Sequence, residues 1–188
     1  EEGWSGLQTF TRELTIRKGK LYQTPVRGFE SLKKDELFCA KNGEIISDNL
    51  HGQMPNSAII RIENPDAESL DLNLFSRNYV IARGFAISYE KYTKRLRIDR
   101  SDLTNQLNVE YGTERQIILE NGLTSMDIFV DHSTVEIFVN EGEYVLSARI
   151  FPTKEEHMIR MGGKNLNLSI WSTEPSVDDA PIFFAENQ

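Results

Sequence analysis

The stretch Met126–Pro152, MDIFVDHSTVEIFVNEGEYVLSARIFP, reads as three antiparallel strands joined by two tight turns. Met126, Ile128 and Val130 alternate with Asp127, Phe129 and Asp131, the period-two pattern of a strand with one buried face. With His132 and Ser133 as a two-residue loop, Val130 lies opposite Val135, Ile128 opposite Ile137 and Met126 opposite Val139. With Glu141 and Gly142 as the second loop, Val139 meets Tyr144, Ile137 meets Leu146 and Val135 meets Ala148. One register makes one face of all three strands apolar. A slip of a single residue turns that whole set outward, so the pairing is strongly specified. Gly142 supplies the positive φ of a tight hairpin.

The opposite face mixes Phe129, Phe138, Val145 and Phe151 with Asp127, Asp131, Glu136 and Arg149. The register puts Arg149 across from Thr134, diagonal to Glu136 and one strand beyond Asp131. Two carboxylates about 5–10 Å apart across a sugar are the working parts of a glycosidase. The ordinary reading is that Arg149 pairs with one or two of these carboxylates across strands. That reading is adopted, and no residue is assigned a catalytic role.

Two blocks carry a family resemblance. One is FVDHSTVEIFVNEGE followed by RIFP, within the meander; the other is RELTIRKGKLYQTPVRGFESL, Arg12 to Leu32. Together they resemble the C-terminal module of glycoside hydrolase family 32, the family of invertases, fructan hydrolases and sucrose-6-phosphate hydrolases. The blocks stand in the family's order and span nearly the whole chain, with Thr11 where the family usually has proline. The resemblance implies a two-sheet antiparallel sandwich of lectin-like topology. It also implies a partner, an N-terminal five-bladed propeller that carries an aspartate nucleophile, a glutamate acid–base and a stabilising aspartate. The family places these in Trp-Met-Asn-Asp-Pro, Glu-Cys and Arg-Asp-Pro segments, and none of those segments occurs here. Asn64-Pro65 follows Glu63, Asp99-Arg100 reverses the Arg-Asp order, and Cys39 follows Phe38.

The expectation is therefore residues 1–10 as a linker from that propeller and 11–188 as the sandwich module. The implied function is non-catalytic: packing on the propeller of a β-fructofuranosidase, with sucrose or sucrose-6-phosphate as the substrate, and supporting stability or oligomerisation. The chain alone is expected to be inactive. The alternative is a carbohydrate-binding module for sucrose or fructans. Its candidate aromatics are Tyr79, Tyr89, Tyr92, Tyr111 and Trp171.

Composition agrees with one domain. At 188 residues about 70% of the unfolded surface can be buried, so a core needs no covalent staples. The net charge of −8 argues against nucleic acid and anionic membrane, which need a basic footprint. A single cysteine, Cys39, excludes an intrachain disulfide and suits a cytoplasmic parent; it is expected to be a buried, inert thiol. His51, His132 and His157 are scattered, and no Cys/His spacing suggests zinc. No serine sits in a G-x-S-x-G elbow, and Gly162-Gly163-Lys164 lacks the setting of a phosphate loop. No metal or cofactor is expected. The sequon Asn167-Leu168-Ser169 lies in an alternating strand and is read as accidental.

The rest of the chain reads as short strands. Thr11–Ile16 and Lys20–Thr24 flank a Lys-Gly turn. Trp4 is expected to pack on this domain or on a neighbour. Val26–Phe38 is either a helical turn or an irregular edge strand, and Cys39–Pro55 is loop-like with a brief strand at Ile45-Ile46. Strands follow at Ala58–Ile62, Leu70–Leu74, Arg83–Tyr92, Leu96–Ile98 and Gln116–Leu119. Asp99–Thr113 is a polar loop, with a strand around Val109 as one option. Gly162-Gly163 is a turn before Asn165–Thr173, and Pro181–Ala185 is a last strand. Many short strands with almost no helix give an all-β fold, a sandwich of two antiparallel sheets or a closed barrel, and between these the family resemblance implies the sandwich.

Overall fold

The computed structural model describes residues 8–45, 53–63, 67–77, 84–106 and 108–174. Its strands are β1 (Arg12–Arg17), β2 (Lys20–Pro25), β3 (Lys33–Ile45), β4 (Ser57–Glu63), β5 (Ser69–Ser76), β6 (Phe85–Glu90), β7 (Arg95–Asp99), β8 (Glu114–Ile118), β9 (Ser125–Asp131), β10 (Thr134–Val139), β11 (Tyr144–Arg149) and β12 (Met158–Thr173). Every described pairing between strands is antiparallel. Trp4, His51, Tyr79 and the Pro181–Ala185 strand lie outside the described residues.

The meander forms in the expected register. Val130 pairs with Val135, Ile128 with Ile137 and Met126 with Val139; Val139 then pairs with Tyr144, Ile137 with Leu146 and Val135 with Ala148. The row continues beyond β9 into β4, β12 and β3. Phe38, Ile170, Ile60, Ile128, Ile137 and Leu146 stand side by side across β3, β12, β4, β9, β10 and β11. Of these, Ile60, Ile128 and Ile137 have no measurable exposure.

The second sheet is built from β5, β6, β7 and β8, with its own inward rows. Leu70, Tyr89, Leu96 and Ile117 form one row, and Leu72, Ile87 and Ile98 another. These side chains and the inner face of the first sheet share one continuous core, the filling of a two-sheet sandwich.

One strand belongs to both sheets. The first half of β12 pairs with β5, from Met158 with Ser76 to Lys164 with Ser69. Its second half lies between β4 and β3, from Asn167 to Ser172 along β4. The passage between the sheets falls at Gly162-Gly163-Lys164-Asn165. A Cβ on Gly163 would lie 2.5 Å from Leu166 Cδ2, and Asn165 takes a left-handed φ of 55°. The two glycines are thus a bend inside a strand, not a turn between strands. A strand that switches sheets at a bend is a recurrent way of making a sandwich corner.

Two other expectations change, and both options for Val26–Phe38, a helical turn and an irregular edge strand, are realised in turn. β3 runs unbroken through Cys39, where a loop was expected. It is stabilised by pairing with β12, a long-range partner that local composition does not reveal. Phe29–Leu32 is a 3₁₀ turn that leads directly into β3, and Val109–Tyr111 is a second 3₁₀ turn instead of a strand.

β1 and β2 form a separate hairpin laid against the meander. Its anchor is the second meander turn, where Glu141 and Gly142 have φ values of 56° and 82° and the Glu143 N–H donates to Asn140 O at 3.2 Å. The Gln23 N–H donates to Gly142 O at 2.9 Å. A Cβ on Gly142 would lie 2.1 Å from Gln23 O. Gly142 therefore answers two demands, a primed turn and close approach of another backbone. Gly142→Ala is expected to destabilise the chain by about 1–3 kcal/mol in urea unfolding, with earlier proteolysis between β1 and β2. A much smaller loss would show that the hairpin does not depend on this contact.

Candidate functional site

The outer face of the first sheet is where the segment 8–32 meets the sandwich. Two cross-strand rows run over it. Trp171, Ile59, Phe129, Glu136 and Ser147 make one; Ser169, Arg61, Asp127, Phe138 and Val145 make the other. Ile59, Phe129 and Phe138 are buried there, outside the sandwich core, packed against Phe10, Phe29, Leu32, Val145 and Trp171. Phe10 stacks on Phe129 at 4.4 Å, and Phe29 meets the same ring edge-on at 5.1 Å. Phe129 meets Phe138 edge-on at 5.6 Å. Such aromatic contacts contribute about 0.5–1.5 kcal/mol each beyond their buried area.

Glu136 sits in the middle of this layer and is 3% exposed. Arg12 Nη2 donates to its Oε2 at 2.7 Å, and the Phe10 N–H donates to its Oε1. Arg12 also donates to Gln23 Oε1 at 3.0 Å and to Ser147 Oγ at 3.1 Å, and its guanidinium lies over the Phe138 ring. A buried carboxylate is tolerated when both oxygens are bonded to a cation and a backbone donor, as here. The same bonds take it out of the running as a general acid or base, which must reach a reacting oxygen.

The other carboxylates of this face stand apart from Glu136. Asp127 pairs with Arg61, directly across the strand pair, at 2.7 Å. Asp131 is exposed and accepts from Ser57 Oγ at 3.1 Å, with His132 Nδ1 at 2.8 Å. The Arg149 guanidinium lies 4.9 Å from the Phe151 ring centre. The cation that meets Glu136 is thus Arg12, from a strand more than a hundred residues away, which no cross-strand register within the meander reveals.

The remaining sequence candidates are dispersed. Tyr89 is 2% exposed and its hydroxyl accepts from the Leu123 N–H at 3.1 Å. Tyr92 is fully exposed in the β6–β7 turn, and Tyr111 is exposed in the 3₁₀ turn beyond β7. Trp171 lies on the other sheet, with Lys33 Nζ 3.8 Å from its ring centre. Cys39, expected to be buried, is exposed on β3, with Ser169 Oγ 3.5 Å from its sulfur. It lies on the outward parity of the strand, between Phe38 and Ala40, which pack against the core. His157 Nδ1 lies 2.8 Å from Lys154 O.

A second ion network ties the 3₁₀ turn to the sheet. Glu30 bridges Lys33 at 2.5 Å and Arg61 at 2.6 Å. Burial alone would raise the Glu30 carboxyl, but hydrogen bonds from Lys33 and Arg61 outweigh it and hold the group below its usual range. A carboxyl depressed in the folded state stabilises that state above its unfolded pKa. The gain disappears as pH falls through the folded value. The stability gap between the native chain and Glu30→Gln is therefore expected to narrow as pH falls from about 5 to 3. A gap independent of pH in urea melts would refute the linkage. In the first network, Arg12→Met leaves a buried carboxylate without its cation and is expected to cost about 3 kcal/mol. Combining it with Glu136→Gln should recover part of that loss, as a double-mutant cycle at pH 7 would measure.

Comparison with known proteins agrees with this architecture. The family profile "Glycosyl hydrolases family 32 C terminal" matches residues 28–172. A sucrose-6-phosphate hydrolase of Staphylococcus xylosus is 31% identical over 150 residues, covering 80% of this chain and 30% of that protein. A sucrose-6-phosphate hydrolase of Streptococcus mutans is 30% identical over 162 residues, covering 86% and 32%. The solved sucrose-6-phosphate hydrolase of Lactobacillus gasseri superposes with a TM-score of 0.72 at 25% identity, over 87% of this chain and 33% of its own. The chain thus spans about a third of the length of the curated relatives it matches. By the extent of the profile match, which runs from the 3₁₀ turn before β3 to the end of β12, this chain belongs to the glycosyl hydrolase family 32 C-terminal family.

Proposed function

We propose that this chain is the non-catalytic C-terminal sandwich of a β-fructofuranosidase acting on sucrose or sucrose-6-phosphate. Its role is to dock on an N-terminal catalytic propeller and stabilise it. On this reading residues 11–188 are the module, and the chain supplies no catalytic group. The substrate class rests on the names of the relatives, sucrose-6-phosphate hydrolases about three times as long as the matched region.

The observation that supports docking is the free end of the β1–β2 hairpin. At its base, Arg12 faces the sheet and donates both to Glu136 and to Gln23. Toward its tip the same parity carries Leu14, Ile16 and Leu21, which are 64%, 77% and 50% exposed. Ile16 and Leu21 are directly paired, so the three form one apolar patch. Leaving such side chains in water forgoes about 1.5–3 kcal/mol each, and clustered exposure of this kind marks an interaction surface. The segment just before the hairpin, Gln8–Thr11, lines a cavity of about 370 Å³ with Ile59, Phe129 and Glu136.

The test is assembly in trans. The propeller of a related enzyme, expressed alone, is titrated with this chain, and activity and complex formation are followed. Leu14→Asp with Ile16→Asp is expected to weaken assembly by about 100-fold, from the loss of two apolar contacts. Circular dichroism should show the sandwich intact, because both positions are exposed. Undiminished assembly by the double variant would remove the hairpin face from the interface. Saturable heats with sucrose, inulin or levan in the absence of the propeller would favour a carbohydrate-binding module instead.

A further inference from the structure

The β1–β2 hairpin is a sheet of its own, with one edge occupied and one open. Which edge is open follows from its turn. Lys18 and Gly19 have φ values of 49° and 79°, a two-residue primed turn that makes Arg17 and Lys20 the hydrogen-bonded closing pair. Hydrogen-bonded and non-hydrogen-bonded pairs then alternate, so Ile16–Leu21 and Leu14–Gln23 are of the second kind. Backbone groups of such residues point away from the hairpin. On β2 this is seen directly, since the Gln23 N–H leaves for Gly142 O at 2.9 Å. On β1 the N–H and C=O of Leu14 and Ile16 leave on the opposite side, where no described residue bonds to them.

Edge strands are commonly blunted by bulges or proline. β3 is bulged in this way, with repeated register shifts against β12. β1 has neither device: it pairs with β2 without a register shift and contains no proline. The side chains beside its open backbone groups are Leu14 and Ile16, both exposed. A regular, apolar, open edge is a template for a further strand.

We propose that this edge pairs with the same edge of a second copy of the chain, β1 against β1 antiparallel, about a two-fold axis at Thr15. Three conditions meet in that register. Leu14 of one copy stands opposite Ile16 of the other, twice, so open N–H and C=O groups face each other and can form hydrogen-bonded pairs. The same four apolar side chains then adjoin on one face. On the other face Glu13 of one copy stands opposite Arg17 of the other, twice, so unlike charges meet across strands. Moving the axis to Leu14 or to Ile16 keeps the parity but sets Glu13 or Arg17 opposite Thr15, and the charge match is lost. Glu13 and Arg17 already have partners in the chain, Arg27 at 3.0 Å and Glu141 at 2.8 Å. The pairs between copies therefore select the register more than they add affinity. An interface of two short strands is small, so the association is weak and concentration-dependent. It uses groups in the plane of the hairpin, whereas docking on a propeller uses the apolar face, so neither requires the other.

Sedimentation velocity of this chain, from about 10 μM to about 1 mM in low salt, tests the pairing. A monomer that passes reversibly to a dimer across that range is expected. Ile16→Pro removes an open N–H and none of the hydrogen bonds within the hairpin, and should weaken dimerisation at least about tenfold with an unchanged circular dichroism spectrum. Glu13→Arg and Arg17→Glu should each weaken it by about fivefold. An equimolar mixture of those two variants should restore it, because only unlike copies then match charges. A monomer at every concentration overturns the proposal. So does dimerisation that Ile16→Pro leaves unchanged, or a mixture of the charge variants that associates no better than either alone.

Discussion

The first sheet depends on one constraint, the parity of its strands. The row Phe38, Ile170, Ile60, Ile128, Ile137 and Leu146 crosses six strands without a polar interruption. Because side chains alternate with a period of two, each strand has a single register that keeps this row facing inward. The second sheet meets it with Leu72, Ile87 and Ile98, and the shared core follows. β12 makes that core continuous, since it hydrogen-bonds into both sheets and bends at its glycine pair.

The same parity sets up the outer face. Once Ile128 and Ile137 point inward, Phe129, Phe138 and Glu136 must point outward. Left to water, that face would expose two phenylalanines. The chain covers it with its own early segment, through Phe10, Phe29 and Arg12. Glu136 then serves as an anchor: its carboxylate is desolvated by the cover and satisfied by it. Hydrogen bonds to charged partners are among the stronger single contacts in a protein, and severing one inside an apolar layer is correspondingly expensive. The cover stops short of the hairpin tip, which leaves Leu14, Ile16 and Leu21 to water.

Charge is sorted by region. The hairpin and the 3₁₀ turn are tied down by ion pairs, Arg12 with Glu136, Lys20 with Glu120 and Glu143, and Arg61 with Glu30 and Asp127. The exposed members of this set contribute little each, through screening and side-chain entropy. Their number favours one placement of the cover over others.

Sequence alone determined the meander's register, the all-β class and the first hairpin, because these depend on local alternation and turn chemistry; the choice of a sandwich over a closed barrel came from the family resemblance. It also carried the family resemblance, in the blocks Arg12–Leu32 and Phe129–Pro152. Tertiary structure alone decided the rest. The extent of β3 past Cys39 depends on β12, some 130 residues later. The role of Gly162-Gly163 as a bend depends on β5 and β4 being partners of one strand. The cation for Glu136 depends on where the early hairpin lands. Periodicity records which face of a strand is buried. It does not record which distant segment buries it, because that choice is made by packing between surfaces that only the folded chain brings together.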